Sequence, residues 1–202
     1  MNFKHSGIKY WGILLFISTV LGINLITTKA WSQRSQKPSI QYKKAFSWNG
    51  CKVENQLAGQ DGRTLALVLD NMSVADNQRK KCFIAVPTTI PGNYLMQDVQ
   101  ILYQGTTENP GGAKTLLRRK YKFVSKSRQR INSKWVASLY KTSNPLFQEQ
   151  DDVTVIPKSC GWQGWLIIGI DARASRTTSL IVDTADLNAG DVKIDIDTTP
   201  CS

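Results

Sequence analysis

Between Lys114 and Lys134 the sequence carries nine basic side chains and no acidic one: Lys114, Arg118, Arg119, Lys120, Lys122, Lys126, Arg128, Arg130 and Lys134. Tyr121, Phe123 and Trp135 interleave with them. Cations attract polyanions at long range, and flat aromatic faces stack on bases or on the C–H faces of sugars. On a strand, alternation would send the charges to solvent and point Tyr121 and Phe123 inward. The plain expectation for such a run is a solvated face. The sharper one is a polyanion-binding face, with Arg118, Arg119, Lys120, Lys122, Arg128 and Arg130 as its binding residues.

Three further groups bear on chemistry. Asp186-Leu187-Asn188-Ala189-Gly190-Asp191, with Asp197 eleven residues after Asp186, loosely follows the alternate oxygen ligands of a calcium loop. Asp191 occupies the position of the turn glycine and Lys193 lies inside the loop, so a hairpin turn at Asn188–Gly190 is the simpler expectation, and no metal or cofactor is expected. Trp162 and Trp165, beside Cys160, Gly161 and Gly164, are candidates for sugar stacking or for packing on a disulfide. Asp70, Asp76, Asp151, Asp152 and Asp171 could supply the carboxylate pair of a glycosidase, but no spacing selects two of them. No catalytic residue is assigned.

The compartment narrows these options. Lys4 and Lys9 precede an apolar stretch from Trp11 to Ile26, and small residues follow at Thr28, Ala30 and Ser32. This is the anatomy of a signal peptide, read as residues 1–32, with cleavage expected before Gln33 or Trp31. An uncleaved leader would be the route to a membrane. Its removal takes three of the 26 basic residues and none of the 15 acidic ones, leaving a formal charge of +8. It also removes His5, the single histidine. A mature chain without histidine cannot assemble a Ser-His-Asp or Cys-His set, nor a His-ligated zinc site.

Cys51, Cys82, Cys160 and Cys201 form an even set without a C-x-x-C pair, which in an exported chain means structural disulfides. Three pairings are open; the leaning is to Cys51–Cys201 across the chain ends and Cys82–Cys160 between central strands. The remaining length suits one domain.

The elements that must position these residues read as strands. Residues 33–47 form a lead-in and first strand, with Ile40, Tyr42, Phe46 and Trp48 on one parity. Short apolar runs follow at Thr64–Leu69 and at Cys82–Val86, the latter closed by Pro87. Val99, Ile101 and Tyr103 alternate after the Pro91-Gly92 turn. Leu117–Val124 and Trp135–Tyr140 carry strand-forming residues, and Asn144-Pro145 and Pro157 mark a loop. Trp165–Ile170, Leu180–Val182 and the strictly alternating Val192, Ile194 and Ile196 complete the series. Helical periodicity and internal repeats are absent. Many short strands separated by turns predict an all-β fold over residues 48–202, an antiparallel β-sandwich of jelly-roll type.

The order of short motifs carries a resemblance. Asn49-Gly50-Cys51 is followed by Arg79-Lys80-Lys81-Cys82, then Pro91-Gly92 and Val99-x-Ile101-x-Tyr103-x-Gly105. Ser159-Cys160-Gly161 precedes a strand ending in Asp171-Ala172-Arg173, and Pro200-Cys201 closes the chain. From Trp48 to Cys201 this resembles the exported domain-of-unknown-function family 4360. The resemblance implies export, two disulfides and a β fold; it brings no activity. The functional expectation is therefore a secreted, non-catalytic binding or surface protein, with an anionic polysaccharide or envelope polymer as partner and no nucleic acid. The alternative is a small histidine-free carbohydrate-active enzyme using paired carboxylates. Oligomeric state is left open.

Overall fold

Strand alternation decides which side chains the protein buries. The computed structural model describes residues 38–127, 130–132, 135–156, 159–182 and 192–201. The expected leader, Arg128, Lys134 and the Asp186–Asp191 motif lie outside them. Seven strands form sheet A around β12 (Trp162–Ala174), flanked by β6 (Arg79–Ile90) and β8 (Thr115–Ser125). Beyond β6 lie β1 (Gln41–Tyr42) and β2 (Phe46–Trp48); beyond β8 lie β9 (Arg130–Asn132) and β10 (Val136–Tyr140).

Sheet B is built on β7 (Tyr94–Glu108). Along one edge of β7 runs β11 (Asn144–Thr154), so β14 (Val192–Pro200) and β13 (Ser179–Ile181) share the other edge, one after the other. Outside β14 come β4 (Thr64–Asp70) and β3 (Lys52–Ala58), and outside β13 comes β5 (Ser73–Ala75). Every pairing is antiparallel. The chain changes sheet from β2 to β3, β5 to β6, β6 to β7, β7 to β8, β10 to β11, β11 to β12 and β12 to β13. That repeated crossing is the jelly-roll manner of wrapping a sandwich.

The core lies between the sheets. Cys82, Ile84, Val86 and Ile90 of β6, Leu166, Ile168, Ile170 and Ala172 of β12, and Leu117, Tyr121 and Phe123 of β8 supply one side. Leu65 and Leu67 of β4, Met96, Val99, Ile101 and Tyr103 of β7, and Val192, Ile194 and Ile196 of β14 supply the other. Each strand buries one parity, as a one-face-buried sheet requires, except that β7 switches parity between Met96 and Val99, where its register with β14 shifts.

Several expectations need correction. Ile40 to Trp48 is not one half-buried strand. Ala45 is buried between β1 and β2, its N–H donating to Gln56 Oε1, and the break turns Phe46 and Trp48 to the outer face of sheet A. Pro87 does not close its strand. Its carbonyl accepts from the Lys43 N–H on the side where β1 and β2 leave a gap, so the amide hydrogen that proline lacks would have met no ladder partner there. The region of Asn144 and Pro145 is strand β11, not a loop; the proline falls where the register with β7 shifts, at an edge that tolerates it. Polar β3 went unforeseen because an edge strand needs little hydrophobic alternation.

The cysteine pairing is also corrected. Cys51 joins Cys82 and Cys160 joins Cys201. Each bridge spans the sandwich, since Cys51 leads into β3 of sheet B while Cys82 is in β6, and Cys160 precedes β12 while Cys201 follows β14. The packing of one sheet against the other decides which cysteines meet, and neither end-to-end distance nor centrality in the sequence reports on that.

Candidate functional site

The strand β8 divides its side chains as alternation requires. Thr115, Leu117, Arg119, Tyr121 and Phe123 are buried, whereas Leu116, Arg118, Lys120, Lys122 and Val124 are half-exposed on the outer face of sheet A. Tyr121 and Phe123 point inward as expected. Of the six basic residues proposed from sequence, Arg118, Lys120 and Lys122 share the outer face, and exposed Arg130 of β9 joins them by register with Val124. Arg119 does not: it is 1% exposed and belongs to the interior.

Register extends this face across the sheet. Asp171 stands between Lys81 of β6 and Arg118 of β8, and Arg173 stands between Arg79 and Leu116. Arg79 donates to Asp171 through Nε at 2.8 Å and Nη2 at 2.7 Å, Arg173 Nη2 lies at 3.3 Å, and Arg118 Nη1 at 3.9 Å. Burial by itself would raise the Asp171 carboxyl, but the Arg79 and Arg173 hydrogen bonds and charges hold it below the ordinary aspartate range. Among the described residues, Arg79, Lys81, Arg118, Lys120, Lys122, Arg130 and Arg173 thus share the face with a single acid, Asp171, so its field is strongly positive.

Aromatic side chains occupy the same surface. Phe46, Trp48, Trp135 and Trp165 are each more than a third exposed. Trp48 stacks on Phe83 at 5.5 Å and lies 6.0 Å from Phe46. Phe83 itself lies over Gly169, where a Cβ would stand 3.1 Å from the Phe83 ring. Trp135 carries Arg118 over its ring at 4.9 Å and Lys120 at 5.8 Å, a cation–π arrangement. Trp162 has the opposite parity from Trp165 and packs inward, edge-on to Phe123 at 6.4 Å. The two tryptophans weighed together in the sequence therefore part company. Phe46 and Trp48 were missed as surface residues because their parity was read through the break at Ala45.

Arg119 organises the interior instead. Its Nε and Nη2 donate to Asp151 of β11 at 2.7 and 3.0 Å, and Nη1 donates to Ser138 Oγ of β10 at 3.0 Å. Tyr121 donates its hydroxyl to the same Asp151 carboxylate. Ser138 donates to Glu149 at 2.7 Å and Tyr140 does so at 2.9 Å. Burial alone would lower the Arg119 guanidinium, but the Asp151 hydrogen bond and charge outweigh it and hold the group charged, above its ordinary value. Burial first, then Tyr103 and Asp151, push the Tyr121 phenol far up. The network bolts sheet A to sheet B. Asp151 and Asp171 are thus each engaged by arginine, in different parts of the molecule. Among the described residues no cluster of three or more His, Cys, Asp or Glu side chains could hold a metal ion.

A disulfide-stapled antiparallel β-sandwich with a basic, aromatic outer face defines the class of this protein. The chain belongs to the family described as "Domain of unknown function (DUF4360)", which matches residues 36–201. No curated protein matches it. Among solved structures it is similar to TmCBM61 in complex with β-1,4-galactotriose, at 8% identity and a TM-score of 0.37, over 77% of this chain and 90% of that one. It is similar also to the CBM22-1 xylan-binding domain of Paenibacillus barcinonensis Xyn10C, at 10% identity and a TM-score of 0.30, over 78% of this chain and 85% of that one. A third likeness is to the enzymatically active domain of Bacteriophage CBA120 tailspike protein 4, at 13% identity and a TM-score of 0.33, over 80% of this chain. This chain spans 20% of that one's length.

Proposed function

We propose that this protein is an exported, non-catalytic binder of an anionic polysaccharide or comparable envelope polymer, and that it binds through the outer face of sheet A. The observation carrying this reading is the joint display of Arg118, Lys120 and Lys122 with exposed Trp48, Trp135 and Trp165 on one sheet surface. Charge draws in a polyanion, and flat rings hold its sugar faces. The two disulfides support an oxidising destination. Asp171, held below the ordinary aspartate range by Arg79 and Arg173, gives no support to a general acid, which needs a raised pKa.

The test is retention of purified protein on an immobilised acidic polysaccharide across a salt series. Retention should weaken as salt rises, because exposed charges are screened. Replacing Arg118, Lys120 and Lys122 with Ser should cut affinity at least about tenfold, roughly 1.4 kcal/mol of binding free energy. Replacing Lys44, Lys52 and Lys193, exposed elsewhere, removes equal charge and should cut it far less. Equal losses in both variants would reduce the effect to net charge, and no binding at low salt would end the proposal.

A further inference from the structure

One end of the outer face of sheet A holds a cleft of about 240 Å³ lined by Lys43, Thr89, Lys126, Gln163 and Trp165 over Pro87. Backbone pairing builds it. Trp165 stands between Pro87 and Val124 in register. The Lys43 N–H donates to Pro87 O at 2.9 Å, and the Lys126 N–H donates to Gln163 O at 2.9 Å. Those two bonds fix the lysine backbones on opposite sides of β12, with the indole between them.

Trp165 differs from the other exposed tryptophans of this face. Trp48 is stacked on Phe83, and Trp135 is covered by Arg118 and Lys120. Trp165 is 37% exposed, and among the described residues neither a ring nor a cation lies on it. An open indole face in a cleft lined by two lysines, Gln163 and Thr89 is chemistry for one particular guest. A sugar ring lays its C–H face on the indole. A carboxylate borne directly on the ring lies at the ring's rim, where flanking lysines reach it with charge-assisted hydrogen bonds. The volume falls below the ~300–1,000 Å³ of clefts for drug-sized ligands, which suits a single pyranose unit.

We infer that this cleft is a subsite for one uronic-acid residue of an acidic polysaccharide, with the ring on Trp165 and its carboxylate between Lys43 and Lys126. This rests on the reading of sheet A as a glycan-binding face and names the sugar class it selects.

The experiment titrates the protein with polygalacturonate, with its fully methyl-esterified form, and with polyphosphate as a polyanion without sugar rings. Wild type should bind polygalacturonate at least tenfold more tightly than either of the others. Trp165→Ala should lose at least tenfold of the polygalacturonate affinity with its melting temperature unchanged, and Trp165→Phe should retain most of it. Lys43→Ser with Lys126→Ser should abolish the preference over the methyl ester. Wild-type affinity in Trp165→Ala, or equal binding of polyphosphate, would overturn the subsite. If polygalacturonate is not bound while dextran sulfate is retained through Arg118, Lys120 and Lys122, the subsite falls and the wider reading stands. Binding of no anionic polymer would remove both.

Discussion

Arg119 marks the difference between a residue's type and its place. It stands among nine basic residues and shares their chemistry, yet it has the parity of Leu117, Tyr121 and Phe123, and parity wins. A guanidinium is tolerated there because Asp151 binds it through both oxygens and Tyr121 and Ser138 complete the hydrogen bonds. Removing one partner leaves the other charge buried and uncompensated. Arg119→Met should therefore lower stability by about 3–5 kcal/mol, whereas Arg119→Met combined with Asp151→Leu should recover most of that loss. Urea denaturation of the two variants decides it. A single variant within about 1 kcal/mol of wild type, the scale of an exposed ion pair, would mean that water already solvates the pair.

At the scale of elements, strands with strict alternation were legible. Val192, Ile194 and Ile196 face the core in β14, with Lys193 exposed between them, as their period of two requires. Tyr121 and Phe123 announced the inward side of β8, and the same alternation, applied strictly, would have placed Arg119 with them. What escaped were polar β3, an edge strand that pairs with its neighbour β4 but lacks apolar alternation, and two features set by non-local pairing: edge strand β11 through Pro145, on β7, and the break at Ala45, between two strands that both pair with β6. The last two depend on partners distant in sequence. The same non-locality explains Gly105, where β13, β7 and β11 meet. A Cβ there would stand 2.1 Å from Ile181 O and 2.6 Å from the Phe147 ring. Gly105→Ala must displace backbone as well as side chain and should cost about 1–3 kcal/mol, as overpacking does. Gly92→Ala, with nothing within 4 Å, is the matched control and should be near neutral. Equal melting temperatures for the two variants would show that the three strands have room to separate.

Over the whole molecule, the two disulfides staple the sandwich through loops of similar length, 31 and 41 residues. Loop-closure entropy grows only slowly with length, so each bridge should contribute a similar amount, on the order of 2–4 kcal/mol. Their surroundings differ far more than their loops. Cys82 is fully buried and Cys51 nearly so, whereas Cys160 is exposed and Cys201 half-buried. Thiol–disulfide exchange requires a thiolate to reach a sulfur, so access separates bridges that entropy does not. Mild reduction of native protein should open Cys160–Cys201 first, leaving a folded species with Cys51–Cys82 intact and a lowered denaturation midpoint. Timed alkylation followed by peptide mapping reads the order directly. The strands β7 to β11 lie between the two closed loops and carry no bridge, so packing alone must hold them once both are open. If both pairs open together, access to the buried bridge comes through global unfolding, and the Cys160–Cys201 staple is what holds the sandwich shut.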